Sequence, residues 1–268
     1  MGYALSGGGA RGFAHLGVLK ALEEYDIKPD VIAGTSAGSI AGALYADGYA
    51  PDEIAAIFAG HDFRQFAEIQ LPKAGIFSMS GLRSFLKKHL RSKTFEELKI
   101  PLYVVATDLD DGISVTFNEG ELIEPIVASC SIPIIFNPVL INGIHYVDGG
   151  VFRNFPVTNI RNLCNTIIGV NVYPIVQKKY TQTILHIAER SFHYMFGANS
   201  ILDKQMCDML IEIKGASNFQ LFDLKSIHNI YNIGYEAAKQ TLSEQKISIY
   251  ETTKENSNLS SISPSVRE

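Results

Sequence analysis

The chain has 268 residues and a mass of 29.5 kDa, with 46% hydrophobic and 19% charged residues, the composition of a globular protein with one large core. Its 23 Lys and Arg are outnumbered by 28 Asp and Glu, a net charge of −5, which argues against a surface built to neutralise nucleic-acid phosphates. No run of about 18 apolar residues occurs, so no ordinary membrane-spanning helix is expected.

Tyr3-Ala4-Leu5-Ser6 is a short apolar run that reads as a buried first strand and leads into Gly7-Gly8-Gly9-Ala10-Arg11-Gly12. The N-terminus lacks the basic, apolar, small-residue layout of a signal peptide. Met1-Gly2 with Ser6 fits the loose myristoylation pattern, but the strand reading of Tyr3 to Leu5 is preferred. Leu16, Val18, Leu19 and Leu22 then recur at helical spacing, with Lys20, Glu23 and Glu24 on the other side. After the break at Pro29-Asp30 come a second apolar strand, Val31-Ile32-Ala33, the turn Gly34-Thr35-Ser36-Ala37-Gly38, and a helix of small residues. Strand, helix, strand, helix in such a short span is the pattern of a parallel α/β sheet.

Pro51-Asp52-Glu53 opens another helix, and residues 61–80 show no clear period. Ser80 is the expected N-cap of a helix running to Leu90. Leu102 to Thr107 is a strong buried strand beside which Ile113 to Phe117 pairs, and residues 121–129 read as helix. Val139 to Val147 reads as a hairpin around Asn142-Gly143, the clearest turn signal present. A strand over Thr166–Val172, a long helix over about 181–203, a strand over Met209–Ile213 and a helix over 226–243 complete the pattern. Beyond about Ile249 the chain is polar, with five serines and no aromatic residue in 251–268. The expectation is one α/β domain over 1–249 and a disordered tail over 250–268. Cys130, Cys164 and Cys207 have neither zinc-ligand nor paired spacing, which points to free thiols in a reducing, cytoplasmic setting.

Three motifs carry chemistry. Gly34-Thr35-Ser36-Ala37-Gly38 fits G-x-S-x-G between a strand and a helix, the context in which a tight turn projects a nucleophilic hydroxyl from the sheet. The bland alternative is a glycine turn whose serine caps the helix. Gly7 to Gly12 fits two chemistries. It satisfies G-x-G-x-x-G, the dinucleotide fingerprint, yet the second strand ends in Gly34-Thr35-Ser36 where an acidic residue is needed for the ribose. The other chemistry is an oxyanion hole of bare backbone N–H groups, with Arg11 holding either the loop or the oxyanion. Asp148-Gly149-Gly150 follows the hairpin, so a sheet edge delivers its carboxylate to a defined place; alone it would be an ordinary turn.

In this order the three motifs resemble the patatin-like phospholipase family, which pairs a glycine-rich oxyanion loop with a G-x-S-x-G serine and a D-G-G/A aspartate. Ala128-Ser129-Cys130-Ser131-Ile132-Pro133 resembles the family's A-S-x-x-x-P segment, and Asn154 and Pro156 fall where the family has Asn and Pro. The likeness covers residues 4 to about 172 and is strongest to bacterial members. It implies a three-layer α/β/α fold with a central, mostly parallel sheet. It further implies a Ser–Asp dyad without histidine: Ser36 as nucleophile, Asp148 as base, and Gly7, Gly8, Gly9 and Arg11 at the oxyanion. The implied substrates are phospholipids, lysophospholipids or neutral acyl esters, met in the cytoplasm or at a membrane surface. No cofactor or metal is implied.

A triad would need histidine, and His15 and His145 are the two placed near the motifs. The apolar stretch 62–79 is the candidate acyl-pocket wall or lid. The rival readings are a nucleotide-binding protein using Gly7–Gly12, a catalytically idle member acting as scaffold, and an esterase of short soluble esters.

Overall fold

A computed structural model of the chain describes residues 1–61, 65–66, 68–69, 75–177 and 182–260. Five strands run parallel in the order β11 (Met209–Glu212), β10 (Ile167–Asn171), β1 (Gly2–Leu5), β2 (Val31–Thr35) and β5 (Leu102–Asp108). Three antiparallel strands extend this sheet: β6 (Ile113–Phe117) and β9 (Ile144–Asp148) both pair with β5, and β8 (Val139–Ile141) pairs with β9. The central strands are buried on both faces, which is why they read as unbroken apolar runs.

Alternation along β1 divides the core between the two faces. Tyr3 and Leu5 join the larger core with α1 (Phe13–Glu24) and α2 (Ala37–Ala46), whereas Ala4 faces Phe155, Val157 and Ile160 on the far side. The arrangement is the expected mostly parallel sheet flanked by helices. α1 also packs against the closing helix α9 (Ile227–Ser260) at backbone contact. A Cβ on Gly17 would lie 2.0 Å from the Tyr231 carbonyl oxygen, and one on Gly234 would lie 2.1 Å from that of Ala14. α9 thus covers the first eleven residues of the polar stretch 250–268.

Other elements refine the expectations. α3 (Pro51–Phe58) starts at Pro51 as read, and α5 (Ile123–Ser129) falls within 121–129. α4 (Ser80–His89) begins at Ser80, but the hydroxyl that accepts the Ser80 N–H, at 3.1 Å, belongs to Ser78. A second, small sheet of β3 (Glu68–Ile69), β4 (Gly75–Ser78) and β7 (Ile134–Phe136) was not legible, being short and without a period. The hairpin turn is as expected, with Asn142 and Gly143 at φ 51° and 86°, the left-handed pair of a type I′ turn. The short α6 (Gly150–Arg153) follows it. The single helix expected over 181–203 is two, α7 (Ile184–Ala198) and α8 (Ile201–Gln205), separated at Asn199-Ser200. Among the described residues no helix is long and apolar enough to cross a membrane.

Candidate active site

Ser36 stands between β2 and α2 in a strained backbone conformation, φ 51° and ψ −122°. For a non-glycine residue this costs on the order of 1–3 kcal/mol and persists only where the surroundings enforce it. They do so here through both backbone groups. The Ser36 N–H donates to Ser129 Oγ at 2.8 Å, and that hydroxyl donates to the Val105 carbonyl at 2.6 Å. The Ser36 carbonyl accepts the Ser39 N–H at 2.8 Å and the Ser39 hydroxyl at 2.7 Å. The flanking glycines are required by proximity: a Cβ on Gly38 would lie 2.2 Å from the Leu5 carbonyl oxygen. The Ser36 side chain makes no helix-capping bond, so the capping alternative is not the observed arrangement.

Ser129 therefore acts on the turn through the backbone of Ser36. Ser129→Ala leaves the buried Ser36 N–H without its partner, and a loss of about 1–3 kcal/mol is expected. A thermal melt lowered by several degrees, together with slower turnover, is the predicted result. An unchanged melting temperature would show that the turn holds itself.

The register of β5 brings Asp148 to Ser36. Thr35 pairs with Val105 and Asp148 pairs with the next residue, Ala106, on the same edge of β5. β2 thus ends where β9 ends, and Ser36 meets Asp148 across that junction. Asp148 is buried, its N–H donates to the Ser131 carbonyl at 2.9 Å, and its own carbonyl accepts the Thr107 hydroxyl at 3.0 Å. Its Oδ1 accepts the Gly150 N–H at 2.7 Å. Burial pushes the carboxyl up to about 7, against the Gly150 N–H and the Ser36 hydroxyl, which both favour the ionised form. Ser129 and Ser131, noticed in the sequence only as part of a family segment, are thus the residues that clamp the serine and the aspartate.

The glycine loop closes the other side. A Cβ on Gly7 would lie 3.2 Å from Ser36 Cβ and 2.4 Å from Asn154 Oδ1. The Gly7 N–H donates to the Asn154 carbonyl at 2.9 Å, and the Ala10 N–H to that of Leu221 at 2.7 Å. Gly7 accordingly fastens the loop. Among the described residues no loop bond of this kind involves the N–H groups of Gly8 and Gly9, so these two remain candidate oxyanion donors. Arg11 is turned to segments far along the chain: its Nε donates to the Phe219 carbonyl at 3.0 Å and its guanidinium lies 5.0 Å from the Tyr173 ring. Of the two roles open to Arg11, the geometry favours holding the loop.

Neither candidate histidine faces the serine. His15 is fully buried, its Nε2–H donates to the Ser6 carbonyl at 2.8 Å, and burial lowers its pKa to about 4. His145 is half-exposed beside Asp110, at 3.3 Å. What Ser36 does face is a cavity of about 130 Å³ bounded by α1, α2, α3 and the 221–224 segment, into which Gly9, Ala10 and Gly12 also look. In its described lining the Ser36 hydroxyl and the Cys130 thiol are the only polar side-chain groups. Phe66 and Met79, at either end of the stretch expected to wall an acyl pocket, line it. Residues 62–64, 67 and 70–74 of that stretch lie outside the described residues.

Comparison with known proteins places this geometry in context. The sequence model of a family described as patatin-like phospholipase matches residues 3–160, a span that holds all three motifs. Lysophospholipase NTE1 of Saccharomyces cerevisiae is 35% identical over 182 residues, which are 64% of this chain and 11% of that protein. An uncharacterised NTE family protein of Mycobacterium bovis is 37% identical over 162 residues, 59% of this chain and 44% of its own length. The match therefore spans under half of either relative. Among solved structures, VipD from Legionella pneumophila shares the fold, with a TM-score of 0.57 and 16% identity over 91% of this chain and 66% of that one.

Proposed function

The chain belongs to the patatin-like phospholipase family, and on that premise we propose that it is a serine acyl-hydrolase cleaving fatty-acyl ester bonds of phospholipids, lysophospholipids or related lipids. The observation that carries this reading is a strained serine beside a buried carboxylate, at the end of a cavity that is otherwise apolar. Ser36 Oγ attacks the acyl carbonyl and its proton passes to Asp148. The carbonyl oxygen, now negative, is met by the N–H groups of Gly8 and Gly9 and by the N-terminal end of α2. Collapse of the tetrahedral species expels the alcohol, protonated by Asp148, and leaves the acyl chain on Ser36. Water, deprotonated by the same carboxylate, then releases the fatty acid and restores the serine. A carboxyl near 7 suits this exchange, since it can both accept and return a proton around neutral pH.

Substrate class follows from the cavity. An apolar wall reaching from the reacting oxygen favours an acyl chain over the phosphates that a nucleotide loop would bind, and the glycines at 9 and 12 open onto that wall. The lipid would be met at a membrane surface on the cytoplasmic side. A series of esters from acetyl to decanoyl tests the reading. Each methylene buried contributes about 0.8 kcal/mol, roughly fourfold in kcat/KM, until the cavity is filled. A rising profile with a plateau is expected. A flat one would replace the lipid reading with that of a short-ester hydrolase.

A further inference from the structure

The side-chain amide of Asn199 occupies the place of a helical hydrogen bond. In a regular helix the Asn154 N–H would donate to the Gly150 carbonyl, four residues back. Here the Asn154 N–H donates to Asn199 Oδ1 at 3.0 Å. Asn199 Nδ2 in turn donates to the Gly150 carbonyl at 2.8 Å and to the Val151 carbonyl at 3.2 Å. One carboxamide is thus inserted into the last bond of α6 as if it were an extra peptide group. Asn and Gln present that donor and acceptor side by side on one planar amide, as a peptide group does.

Both ends of the opened turn belong to the reaction machinery. At its start, the Gly150 N–H donates to Asp148 Oδ1 at 2.7 Å. Just past its end, the Asn154 carbonyl receives the Gly7 N–H at 2.9 Å, and the Asn154 side chain fills the space beside the Gly7 Cα. α6 therefore bridges from the carboxylate to the oxyanion loop, on either side of Ser36. A helix of four residues does not hold its own shape; beside its own bond from the Arg153 N–H to the Gly149 carbonyl at 2.7 Å and the Thr35 hydroxyl on the Arg153 carbonyl at 2.9 Å, Asn199, between α7 and α8, supplies the bonds that close its last turn. Asn199 lies beyond residues 3–160, where the family model matches, and no motif draws attention to it.

We propose that Asn199 is a positioning residue for acyl transfer, whose inserted carboxamide sets the separation between the Asp148 carboxylate and the Gly8–Gly9 N–H groups. This rests on the serine–aspartate reading above. Among the described residues, three polar groups bear on the Asp148 carboxylate, with the Asn154 side chain nearby. The three are the Ser36 hydroxyl, the Gly150 N–H, and the Cys130 thiol after α5, which burial keeps protonated. Arg153, on α6 itself, turns away to Thr158 and Asp203.

The test compares Asn199→Leu, Asn199→Asp and Asn199→Gln with the wild-type protein on a short soluble ester. The fraction of competent sites is counted in each preparation by fluorophosphonate labelling. Per labelled site, Leu and Asp are expected to lower kcat on the order of 10- to 100-fold with KM within about twofold. Asp should be as damaging as Leu because it lacks the donors to Gly150 and Val151, and Gln should recover part of the rate. The acid limb of kcat/KM should move to higher pH in both, because a loosened Gly150 N–H no longer favours ionised Asp148. Wild-type kcat per labelled site and an unmoved limb in Leu and Asp would overturn the proposal, even if fewer sites were competent, since Asn199 would then serve folding alone. Absence of label on wild-type protein would overturn the hydrolase reading and this inference with it; label on wild type with unaltered variants overturns this inference alone.

Discussion

Ser36→Ala is expected to abolish ester hydrolysis while leaving the protein folded. In the proposed mechanism the nucleophile is the one group whose role no neighbour can assume, because the covalent intermediate would form on its oxygen. Without it only binding and oxyanion effects remain, so a loss on the order of 10³-fold or more is expected. The fold should tolerate the change. The Ser36 backbone is held through its N–H and carbonyl by Ser129 and Ser39, and those bonds do not involve the side chain removed. Retention of a tenth of the wild-type rate, measured with active-site counting, would assign the chemistry to another group.

Asp148→Asn should be as damaging as Ser36→Ala, whereas His15→Gln and His145→Gln should cost far less. In a serine–histidine–aspartate triad the histidine moves the proton and its loss is at least as severe as that of the aspartate. Here His15 is committed to the Ser6 carbonyl and His145 lies at the surface with Asp110, so the carboxylate is the acceptor that remains. In the proposed mechanism its ionised form is the competent base. The rate should therefore rise with pH through about 7, well above the ordinary carboxylate value of 3.8.

The same shift has a consequence for stability, of opposite sense to activity. The folded pKa lies above the unfolded one, so what this group contributes is full below about pH 4 and is lost as pH rises through about 7. Asp148→Asn, which cannot ionise yet can still accept the Gly150 N–H, should raise the melting temperature more at pH 8 than at pH 5. Equal loss of activity in a histidine variant and in Asp148→Asn, with intact circular dichroism, would contradict the dyad.

Much of the scaffold was legible because two periodicities announce it. Tyr3-Ala4-Leu5 and Val31-Ile32-Ala33 are buried on both faces and read as apolar runs. Leu16, Val18, Leu19 and Leu22 read as a helix because they are buried while Lys20, Glu23 and Glu24 reach the surface. Asn142-Gly143 fixed the hairpin of β8 and β9 through its left-handed requirement, and β9, the strand after that turn, carries Asp148 to Ala106 on β5. Boundaries set by side chains from elsewhere were not legible. Ser78 takes the capping task expected of Ser80, and the helix after 181 stops at Ala198, with Asn199 turned to α6.

The candidate site divides the same way. Ser36 and Asp148 announce themselves because glycines must surround them. The motif at 7–12 names residues but not where their N–H groups point, so the commitment of Gly7 to Asn154 and of Arg11 to Phe219 appears only when distant segments are brought together. Ser129, Ser131 and Asn199 share that character, since each acts through a bond to a residue far along the chain.

The most direct test of the account is reaction of the folded protein with a fluorophosphonate, followed by mapping of the adduct. Stoichiometric modification is expected at Ser36, lost in Ser36→Ala and slowed on the order of 10²-fold or more in Asp148→Asn. Modification confined to another serine, or no modification of protein that is folded by circular dichroism, would contradict it.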